Sequence, residues 1–288
     1  MYVFASKGGD PVFDANPKLV YRIGETNEWG YDNLVAWEAH KNYNFVAYAG
    51  KNLGESVKAN VGNKSLNFSN IVVNGDKDNQ FDLLYSNTVE RSPATVDGNL
   101  TIDFTFNHLL SMVQFTLKSG FGATTEVKIT NFKFYGVKTT GSYDASSSAW
   151  TFSSSSAAND DVNTDFKSDG EETAHYNADA TKDVVNSWVI IPQQNVGSDK
   201  VEMVKFTVNV VDGESKAQIG TKDFTAKIPS ITWEKGYRYN YIFTITPKQM
   251  GVADQYITFD ALKVTEWDDD TNLTIDEDNS STSGVEFE

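Results

Sequence analysis

The chain has 288 residues, a formal net charge of −16 and no cysteine. The excess of acidic side chains excludes nucleic acid as an expected partner, because such binding depends on Lys and Arg that displace counterions. The absence of cysteine excludes disulfides and thiolate chemistry, so packing and strand pairing alone must hold the fold together.

The length and the distribution of apolar residues predict an all-β protein with two domains. Single hydrophobic cores usually serve about 100 to 200 residues. The hydrophobic residues, 39% of the chain, come in short bursts between Gly, Asn, Asp and Ser, a pattern typical of strands joined by turns. No apolar run reaches the ~18 to 20 residues of a membrane span, and the first ten residues do not read as a signal peptide. We expect a cytoplasmic protein or, in preference, the processed part of an exported precursor.

The first third of the chain contains several predicted short strands. They lie near residues 2–5, 19–23, 43–48, 70–73, 81–85 and 100–106. In the last of these, Ile102, Phe104 and Phe106 alternate with polar residues at the period of a strand that buries one face.

The stretch FNHLLSMVQFTL, at 106–117, has two periodicities. Its first half has helical spacing, whereas Val113, Phe115 and Leu117 alternate with polar residues. This change predicts a tight corner that leads into a strand. At such a corner we expect the ring nitrogens of His108 to bind backbone groups.

The next segment, EVKITNFKFYGV, alternates in two registers that meet at Asn131. One inserted residue moves all later side chains to the opposite face, so the slip predicts a β-bulge. The following region, about 144–183, is rich in Ser, Asp and Ala. It predicts a hairpin around Trp150 and Phe152 and then a long surface loop.

Four strong strands are predicted near the end of the chain, at 187–192, 204–211, 237–246 and 256–264. The third carries an unbroken stripe of large side chains, which predicts the core face of a β-sandwich. The stripe consists of Tyr237, Tyr239, Tyr241, Phe243 and Ile245.

No catalytic or metal-binding pattern is found. The histidines at 40, 108 and 175 have no metal-ligand spacing, and no nucleophile elbow accompanies them. Asp268, Asp270 and Asn272 have calcium-loop spacing, but Leu273 and Asn279 stand where the loop needs Gly and Glu, which favours a solvated acidic loop. Forty acidic residues make accidental carboxylate pairs certain, so a glycosidase is only a remote alternative. We predict no enzyme, no cofactor and no metal.

Several stretches together resemble the fimbrillin-like subunits of the type V pili of Bacteroidia, which include the major and minor fimbrillins. Each stretch alone is a weak signal, but their order and spacing cover nearly the whole chain. They are WEAHKNYNFVAYA at 37–49, FDLL at 81–84, FTFNHLLSMVQF at 104–115, WEKGYRYNYIFTI at 233–245 and ITFDALKVTEWDD at 257–269.

The resemblance implies two tandem transthyretin-like β-sandwich domains of about seven strands each. The N-terminal domain would span 1–108, and the C-terminal domain 109–288 would contain the long loop at about 144–183. It also implies a lipoprotein precursor that is exported to the outer membrane and loses an N-terminal segment to a protease, often after an Arg. Arg22 is the candidate cleavage site, although the chain has no cysteine to carry a lipid.

In this family the vacated groove accepts a strand from the next subunit, a case of β-strand addition. The candidate donor is the C-terminal segment, where Leu273 and Ile275, and then Val285 and Phe287, have alternating spacing. The alternative is a last edge strand followed by an acidic tail. If the segment donates a strand, deletion of 284–288 is expected to abolish polymerisation and leave the monomer folded.

The leading hypothesis is therefore a structural or adhesive subunit of a surface fimbria, whose partners are other fimbrial subunits and host or bacterial surface proteins or glycans. The alternative is a surface glycan-binding sandwich without catalysis. Its candidate sugar platforms are Trp29, Trp37 and Trp150. Trp37 lies in a family motif and is expected in the core, so Trp150 is the preferred glycan contact.

Overall fold

A computed structural model describes residues 1–13, 17–24, 28–51, 53–62, 64–76, 79–95, 101–134, 136–152, 166–168, 170–176, 184–193, 204–229, 231–251 and 257–267. Strands arranged in four sheets dominate these residues. The predicted all-β fold is therefore confirmed.

The first 108 residues contribute a seven-stranded sheet, sheet I. Its strands are β1 (Tyr2–Lys7), β2 (Asp10–Pro11), β3 (Lys18–Leu19), β6 (Tyr43–Ala49), β9 (Leu84–Ser86), β10 (Val89–Arg91) and β11 (Phe106–His108). Strand β6 is central, because β1 pairs along one side while β9 and β10 share the other. Between β3 and β9 in sequence, β4 (Tyr21–Arg22) and β5 (Trp29–Gly30) form a separate two-stranded sheet.

A four-stranded sheet, sheet II, packs on the inner face of sheet I. It contains β7 (Val57–Asn60), β8 (Ser65–Val72), β14 (Thr140–Asp144) and β15 (Ala149–Phe152). The ring of Phe68 in β8 lies 5.6 Å from that of Tyr48 and 5.8 Å from that of Tyr85, which belong to sheet I. Sheet II thus combines strands from both sides of residue 108. The division into domains 1–108 and 109–288 stays a prediction, and backbone pairing crosses it.

The remaining strands form a nine-stranded sheet, sheet III, that folds into two layers. They are β12 (Ser111–Ser119), β13 (Thr125–Phe134), β16 (Phe166–Ser168), β17 (Glu172–Tyr176), β18 (Val184–Ile190), β19 (Val204–Asp212), β20 (Gln218–Ala226), β21 (Tyr237–Ile245) and β22 (Ala261–Glu266). Strand β17 joins the layers, since it pairs with both β12 and β13. Between them, the ring of Phe115 lies 5.1 Å from that of Phe132 and 5.3 Å from that of Phe134.

The aromatic stripe of β21 lies in this core, as predicted. Tyr239, Tyr241, Phe243 and Ile245 are at most 3% exposed, and Tyr237 at the start of the stripe is half-buried against the same core. Strand β21 pairs in parallel with β12 and antiparallel with β22. Its opposite face is also covered, because Asn240 and Ile242 are buried.

The predicted bulge at Asn131 is confirmed. The pairing of β13 with β19 shifts register between Thr130 and Lys133, and Asn131 has a φ of 52°. Asparagine tolerates this left-handed conformation better than most residues. The bulge places Val127 and Phe132 in the same buried core despite their different registers.

The prediction of a long surface loop at about 144–183 is wrong in part. Within its described residues the chain forms β15, β16 and β17. The predicted hairpin exists, but its turn lies at 145–148 and Trp150 is inside β15. Short runs such as Phe166–Ser168 lack a periodicity of their own, so only their pairing with β13 makes them strands.

The strand predicted at 100–106 begins only at Phe106. The preceding residues alternate in burial as predicted. Hydrogen bonds that involve side chains, however, replace the regular backbone pairing of a strand. The Thr105 N–H donates to Asn87 Oδ1 at 2.8 Å, and Arg91 Nε donates to the Thr101 carbonyl at 3.0 Å. Strand β20 was not predicted, because its sequence QIGTKDFTA is largely polar.

Helices are short. They are a 3-10 turn at Gly54–Ser56 and α1 at Pro247–Gly251. At the start of α1, Thr246 N–H donates to Gln249 Oε1 at 2.7 Å, which is one half of a capping box. Among the residues that the structure describes, no helix is long and apolar enough to cross a membrane.

Candidate assembly site

Strand β1 occupies a position in sheet I that is buried on both faces. It pairs antiparallel with β6 from Tyr2↔Tyr48 to Lys7↔Tyr43. Phe4 is 1% exposed and belongs to the main core, cluster I, which extends through sheets I, II and III. Val3 and Ala5 point the other way into a smaller core, cluster II. The buried members of cluster II are Val3, Ala5, Val20, Tyr43, Phe45, Ala47 and Val89.

The backbone groups of β6 that face β1 would lose their partners if β1 were removed. On the far side of β6, the Ala47 N–H donates to Ser86 Oγ at 2.7 Å. Alternate residues of a strand direct their N–H and C=O groups to the same side, so Asn44, Val46 and Tyr48 direct theirs toward β1. Without β1, these groups would line an open groove whose donors and acceptors another strand could satisfy.

Loop residues cover the outer side of cluster II. Phe13, Tyr31 and Trp37 are partly buried against it. Phe13 lies between β2 and β3, and the other two lie between β5 and β6. The ring of Trp37 is 4.8 Å from that of Tyr43 and 5.8 Å from that of Phe45, which confirms its predicted place in a core. We call residues 12–40 the cover.

Surface contacts connect the cover to β1 and β6. Lys7 Nζ in β1 forms an ion pair with Glu38. The hydrogen bond from Lys7 lowers the pKa of Glu38 and raises that of Lys7. The Glu38 N–H also donates to the Tyr43 hydroxyl at 2.9 Å. Exposed ion pairs contribute little to stability, so these contacts position the cover more than they hold it.

Tyrosines on the inner side of β6 and β9 are desolvated. The ring of Tyr48 stacks on that of Tyr2 with centroids 5.0 Å apart, and burial raises the pKa of Tyr48. Burial likewise raises the pKa of Tyr85 to about 12. Both hydroxyls stay neutral near pH 7, so they act as packing groups in the floor of the site.

Arg22 lies in an exposed hairpin outside the large sheets. Its strand β4 pairs with β5 only at Tyr21↔Gly30 and Arg22↔Trp29, and the Ile23 N–H donates to the Glu28 carbonyl at 2.8 Å. So short a pairing opens at little cost in free energy. A protease needs an accessible segment, and Arg22 is exposed in this hairpin.

The other two arginines of the chain are less accessible than Arg22. Arg91 and Arg238 are half-buried, and both lie in strands of large sheets, whereas Arg22 is exposed. The guanidinium of Arg91 also donates to the Thr101 and Glu90 carbonyls. Exposure therefore distinguishes Arg22 among the arginines, which the sequence alone could not establish.

Trp150, the predicted glycan contact, is half-buried in β15. Its indole N–H donates to the Leu109 carbonyl at 2.9 Å, and its ring lies 5.3 Å from that of Tyr143. These contacts anchor the β14–β15 hairpin to the corner between β11 and β12. The role of Trp150 in glycan binding stays a prediction.

The corner at 106–111 joins several parts of the chain. The Leu109 N–H donates to the Leu83 carbonyl, and the Leu110 carbonyl accepts from the Gly236 N–H, both at 2.8 Å. His108 Nδ1 lies 2.6 Å from Asp82 Oδ2, so this ring nitrogen faces a carboxylate where a backbone group was predicted. The His108 ring stacks on that of Trp267 at 4.2 Å, where the described part of the chain ends.

The remaining predicted residues lie outside the described part. The donor candidates Leu273, Ile275, Val285 and Phe287 all follow Trp267, as does the acidic loop at 268–279. Within the described ranges, no three His, Asp or Glu side chains come together in a way that could hold a metal ion.

The burial of β1 on both faces was not predicted from the sequence. Val3, Phe4 and Ala5 were predicted as a strand, but not as one buried on both faces. The signal was present in YVFAS, an apolar run without the alternation of a half-buried strand. The stacking of Trp267 on His108 has no local signal, because 158 residues separate the two in sequence.

Comparison with known proteins supports one family. A model of the fimbrillin-like family matches residues 2–267. The crystal structure of a fimbrial protein from Bacteroides vulgatus has 16% identity and a TM-score of 0.58, over 92% of each chain. A candidate cell adhesion protein from Bacteroides uniformis has 14% identity and a TM-score of 0.45, over 93% of this chain and 91% of that one. A search of curated proteins found no match. On the match to the family model, the chain belongs to the fimbrillin-like family.

Proposed function

We propose that the chain is a structural or adhesive subunit of a cell-surface fimbria and has no catalytic role. Membership of the fimbrillin-like family supports the fimbrial role. The fold shared with a fimbrial protein from Bacteroides vulgatus is consistent with it. The subunit would reach the cell surface as a lipoprotein precursor, in keeping with the resemblance drawn from the sequence.

We further propose that assembly follows cleavage of the peptide bond after Arg22. The observation that carries this proposal is the position of β1. The whole of β1, together with β2 and β3, precedes Arg22, and β1 pairs with β6 and is buried between cluster I and cluster II. Loss of residues 1–22 would open the groove along Asn44, Val46 and Tyr48. The C-terminal segment of another subunit, with Leu273 and Ile275 or Val285 and Phe287, would fill it.

The burial of β1 also predicts how assembly is controlled. Burial of a large apolar side chain such as Phe4 stabilises by about 1.5–3 kcal/mol, so cleavage alone does not make β1 leave quickly. Before cleavage β1 is part of the same chain, and another strand has to compete with an intramolecular one. After cleavage the competition becomes intermolecular, and a donor strand can replace β1.

The test is limited digestion of the full chain with an Arg-specific protease. We expect cleavage after Arg22 and a ladder of heat-stable oligomers on a gel, with filaments in electron micrographs. The matched control is Arg22→Lys, which keeps the positive charge but resists the protease. A cleaved protein that loses residues 1–22 and forms no oligomer would contradict strand exchange between subunits.

The alternative is a glycan-binding surface, and one observation favours it. Trp29, in the hairpin of Arg22, is 44% exposed and could stack on a sugar ring. The indole N–H of Trp150 is instead engaged with Leu109. Binding to a glycan array that disappears in Trp29→Ala and persists in Trp150→Ala would support this function, and absence of binding in the parent protein would reject it.

A further inference from the structure

We propose that the outer face of β13, β19 and β20 binds an acidic polysaccharide through Lys133 and Lys205. The inference names a ligand for the adhesive role of the subunit, and it rests on that proposed role. The face lies on the side of sheet III that points away from cluster I, because Phe132 and Val208 of the same strands are buried in that core. It includes neither the proposed cleavage site nor the two tryptophans considered above.

A row of lysines crosses one end of this face. Lys133 of β13 is directly opposite Lys205 of β19, and on its other side it is opposite Lys167 of β16. Lys133 is exposed and Lys205 is half-buried. Like charges directly opposite each other on neighbouring strands, which are about 4.8 Å apart, destabilise a sheet. An anion that binds between the ammonium groups of Lys133 and Lys205 offsets this repulsion.

At the other end of the face, two ion pairs balance the charges. Lys128 Nζ lies 2.6 Å from Glu171 Oε1, and Lys216 Nζ forms an ion pair with Glu126. The described part of the face therefore has its excess of positive charge at Lys133. The chain as a whole has a net charge of −16. The Debye length is about 8 Å at physiological ionic strength, so a ligand at this row responds mainly to the lysines beside it.

A hydrogen-bonded network of polar side chains lies next to the lysine row. Asn131 Nδ2 donates to Thr207 Oγ1 at 3.3 Å, and Thr207 Oγ1 donates to Asp223 Oδ1 at 2.7 Å. In the following row, Asn209 Nδ2 donates to Thr130 Oγ1 at 3.3 Å. The network holds these side chains in place before a ligand binds, which lowers the entropy cost of binding. Sugar hydroxyls both donate and accept, so they can bond to neighbouring amide, hydroxyl and carboxylate groups.

The bulge in β13 places the network and the lysine row on the same face. Two residues of β13, Asn131 and Phe132, lie between the paired positions Thr130 and Lys133, whereas one residue of β19 lies between their partners. Asn131 and Lys133 are both exposed, and Phe132 between them is buried. One residue fewer would turn Lys133 toward the core. Bulges often redirect side chains next to functional sites, which agrees with a binding role for this face.

The composition of the face favours an acidic polysaccharide over other ligands. The outward residues in the described parts of β13, β19 and β20 include no aromatic ring on which a neutral sugar could stack. A linear polymer with an acidic group on each repeating unit contacts more than one lysine at once, and such multivalent contact increases affinity. Nucleic acid fits less well, because its binding depends on many Lys and Arg contacts and Lys128 is already paired with Glu171.

The test is binding of the full chain to immobilised polymers at low and at physiological ionic strength. Polygalacturonate carries carboxylates and heparin carries sulfates, whereas dextran is neutral and double-stranded DNA carries phosphates. We expect binding to polygalacturonate or heparin that weakens as salt is added. The stronger of the two signals identifies the acidic group, and binding to dextran should be absent.

Variants locate the site. The protein with Lys133→Glu and Lys205→Glu should bind at least about tenfold more weakly, because two attractive contacts become repulsive. The matched control carries Lys58→Glu and Lys263→Glu at exposed positions of β7 and β22, which changes the net charge equally and should leave binding as in the parent. Thermal unfolding checks that both proteins are folded.

Asn131→Gly tests the network separately from the charge. Glycine adopts the left-handed conformation of this position, where φ is 52°, but lacks the amide. Affinity should fall about two- to tenfold through the lost hydrogen bonds, while its dependence on salt stays unchanged.

The outcomes separate this inference from the proposed function. The inference is overturned by absence of binding to both acidic polysaccharides, by equal weakening in the two lysine variants, or by binding to DNA as tight as that to the polysaccharides. The proposed fimbrial function would still stand if digestion with the Arg-specific protease gives filaments. If digestion gives no oligomer while polysaccharide binding depends on Lys133 and Lys205, the assembly proposal fails and this site stands.

Discussion

Cluster I and cluster II are both apolar cores, but they are closed in different ways. In cluster I, sheets pack on sheets, and Phe115 lies among the rings of Phe132, Trp188 and Tyr241 at 5.1–6.1 Å. In cluster II, sheet I supplies one side and the cover supplies the other. A sheet is held by many backbone bonds, whereas the cover contains strands of only two residues. We therefore expect cluster II to open at a lower cost in free energy than cluster I.

The two cores meet at β1 and β6. Along β6, Val46 and Tyr48 face cluster I while Phe45 and Ala47 face cluster II. Both strands are thus fully buried in the middle of the molecule, although the cover beside them is weakly held. The difference between the two faces of β1 shows that a strand can be well packed even on a face that short elements close.

The largest effect is expected from Phe115→Ala. Its side chain is fully buried, so the substitution should lower the free energy of unfolding by about 3–5 kcal/mol. The matched substitution in the cover, Phe13→Ala, removes a partly buried ring and should lower it by less than about 2 kcal/mol. Denaturant unfolding with equal m-values measures both. Equal losses in the free energy of unfolding would show that the two cores are held equally firmly.

The second largest effect is expected at Gln80, which precedes β9 and binds the backbone of β18. The amide of Gln80 accepts from the Val189 N–H at 2.8 Å and donates to the Val189 carbonyl at 3.1 Å, as a strand would. Gln80→Ala leaves these buried groups unpaired, so stability should fall by about 1–3 kcal/mol. Gln218→Ala, at an exposed position of β20, is the control and should stay within about 0.5 kcal/mol of the parent. No difference between the variants would show that water replaces the amide.

Hydrogen exchange should separate the regions without any substitution. The amide of Ile23 donates to the Glu28 carbonyl within a short hairpin, so it should exchange at least about 100-fold faster than that of Phe115, because exchange there needs only local opening. Mass spectrometry of peptides from 21–30 and 112–117 measures this ratio. Similar protection in both peptides would mean that the cover opens only with the core.

The smallest effect is a dependence of the cover on pH. The pKa of Glu38 is lowered by its hydrogen bond from Lys7, so the pair stabilises above the usual carboxyl value of 4.5. That contribution is lost as the pH falls through the lower pKa of the folded state. Below about pH 4, exchange in peptides from 34–40 should rise in the parent more than in Glu38→Gln, which lacks the titration. Identical pH profiles in the two proteins would show that the ion pair does not hold the cover.

Local patterns determined much of the fold from the sequence. The bulge at Asn131, the corner at 106–111 and the buried stripe of β21 were predicted from the alternation of apolar and polar side chains. Such a pattern can be recognised within a few residues. The sequence likewise shows that Arg22 lies near the start of the chain, ahead of most of the predicted strands. Its exposure, in contrast, depends on which neighbours pack against it.

Tertiary structure alone decided which strands pair and which residues meet. Backbone groups are the same in every residue, so a strand such as β14 carries no local sign that its partner is β8. The burial of β1 on both faces and the stacking of Trp267 on His108 depend on segments that are distant in sequence. The sequence by itself determined an all-β chain with a bulge and a corner at known positions. Long-range packing decided that one strand of it, β1, is deeply buried on both faces.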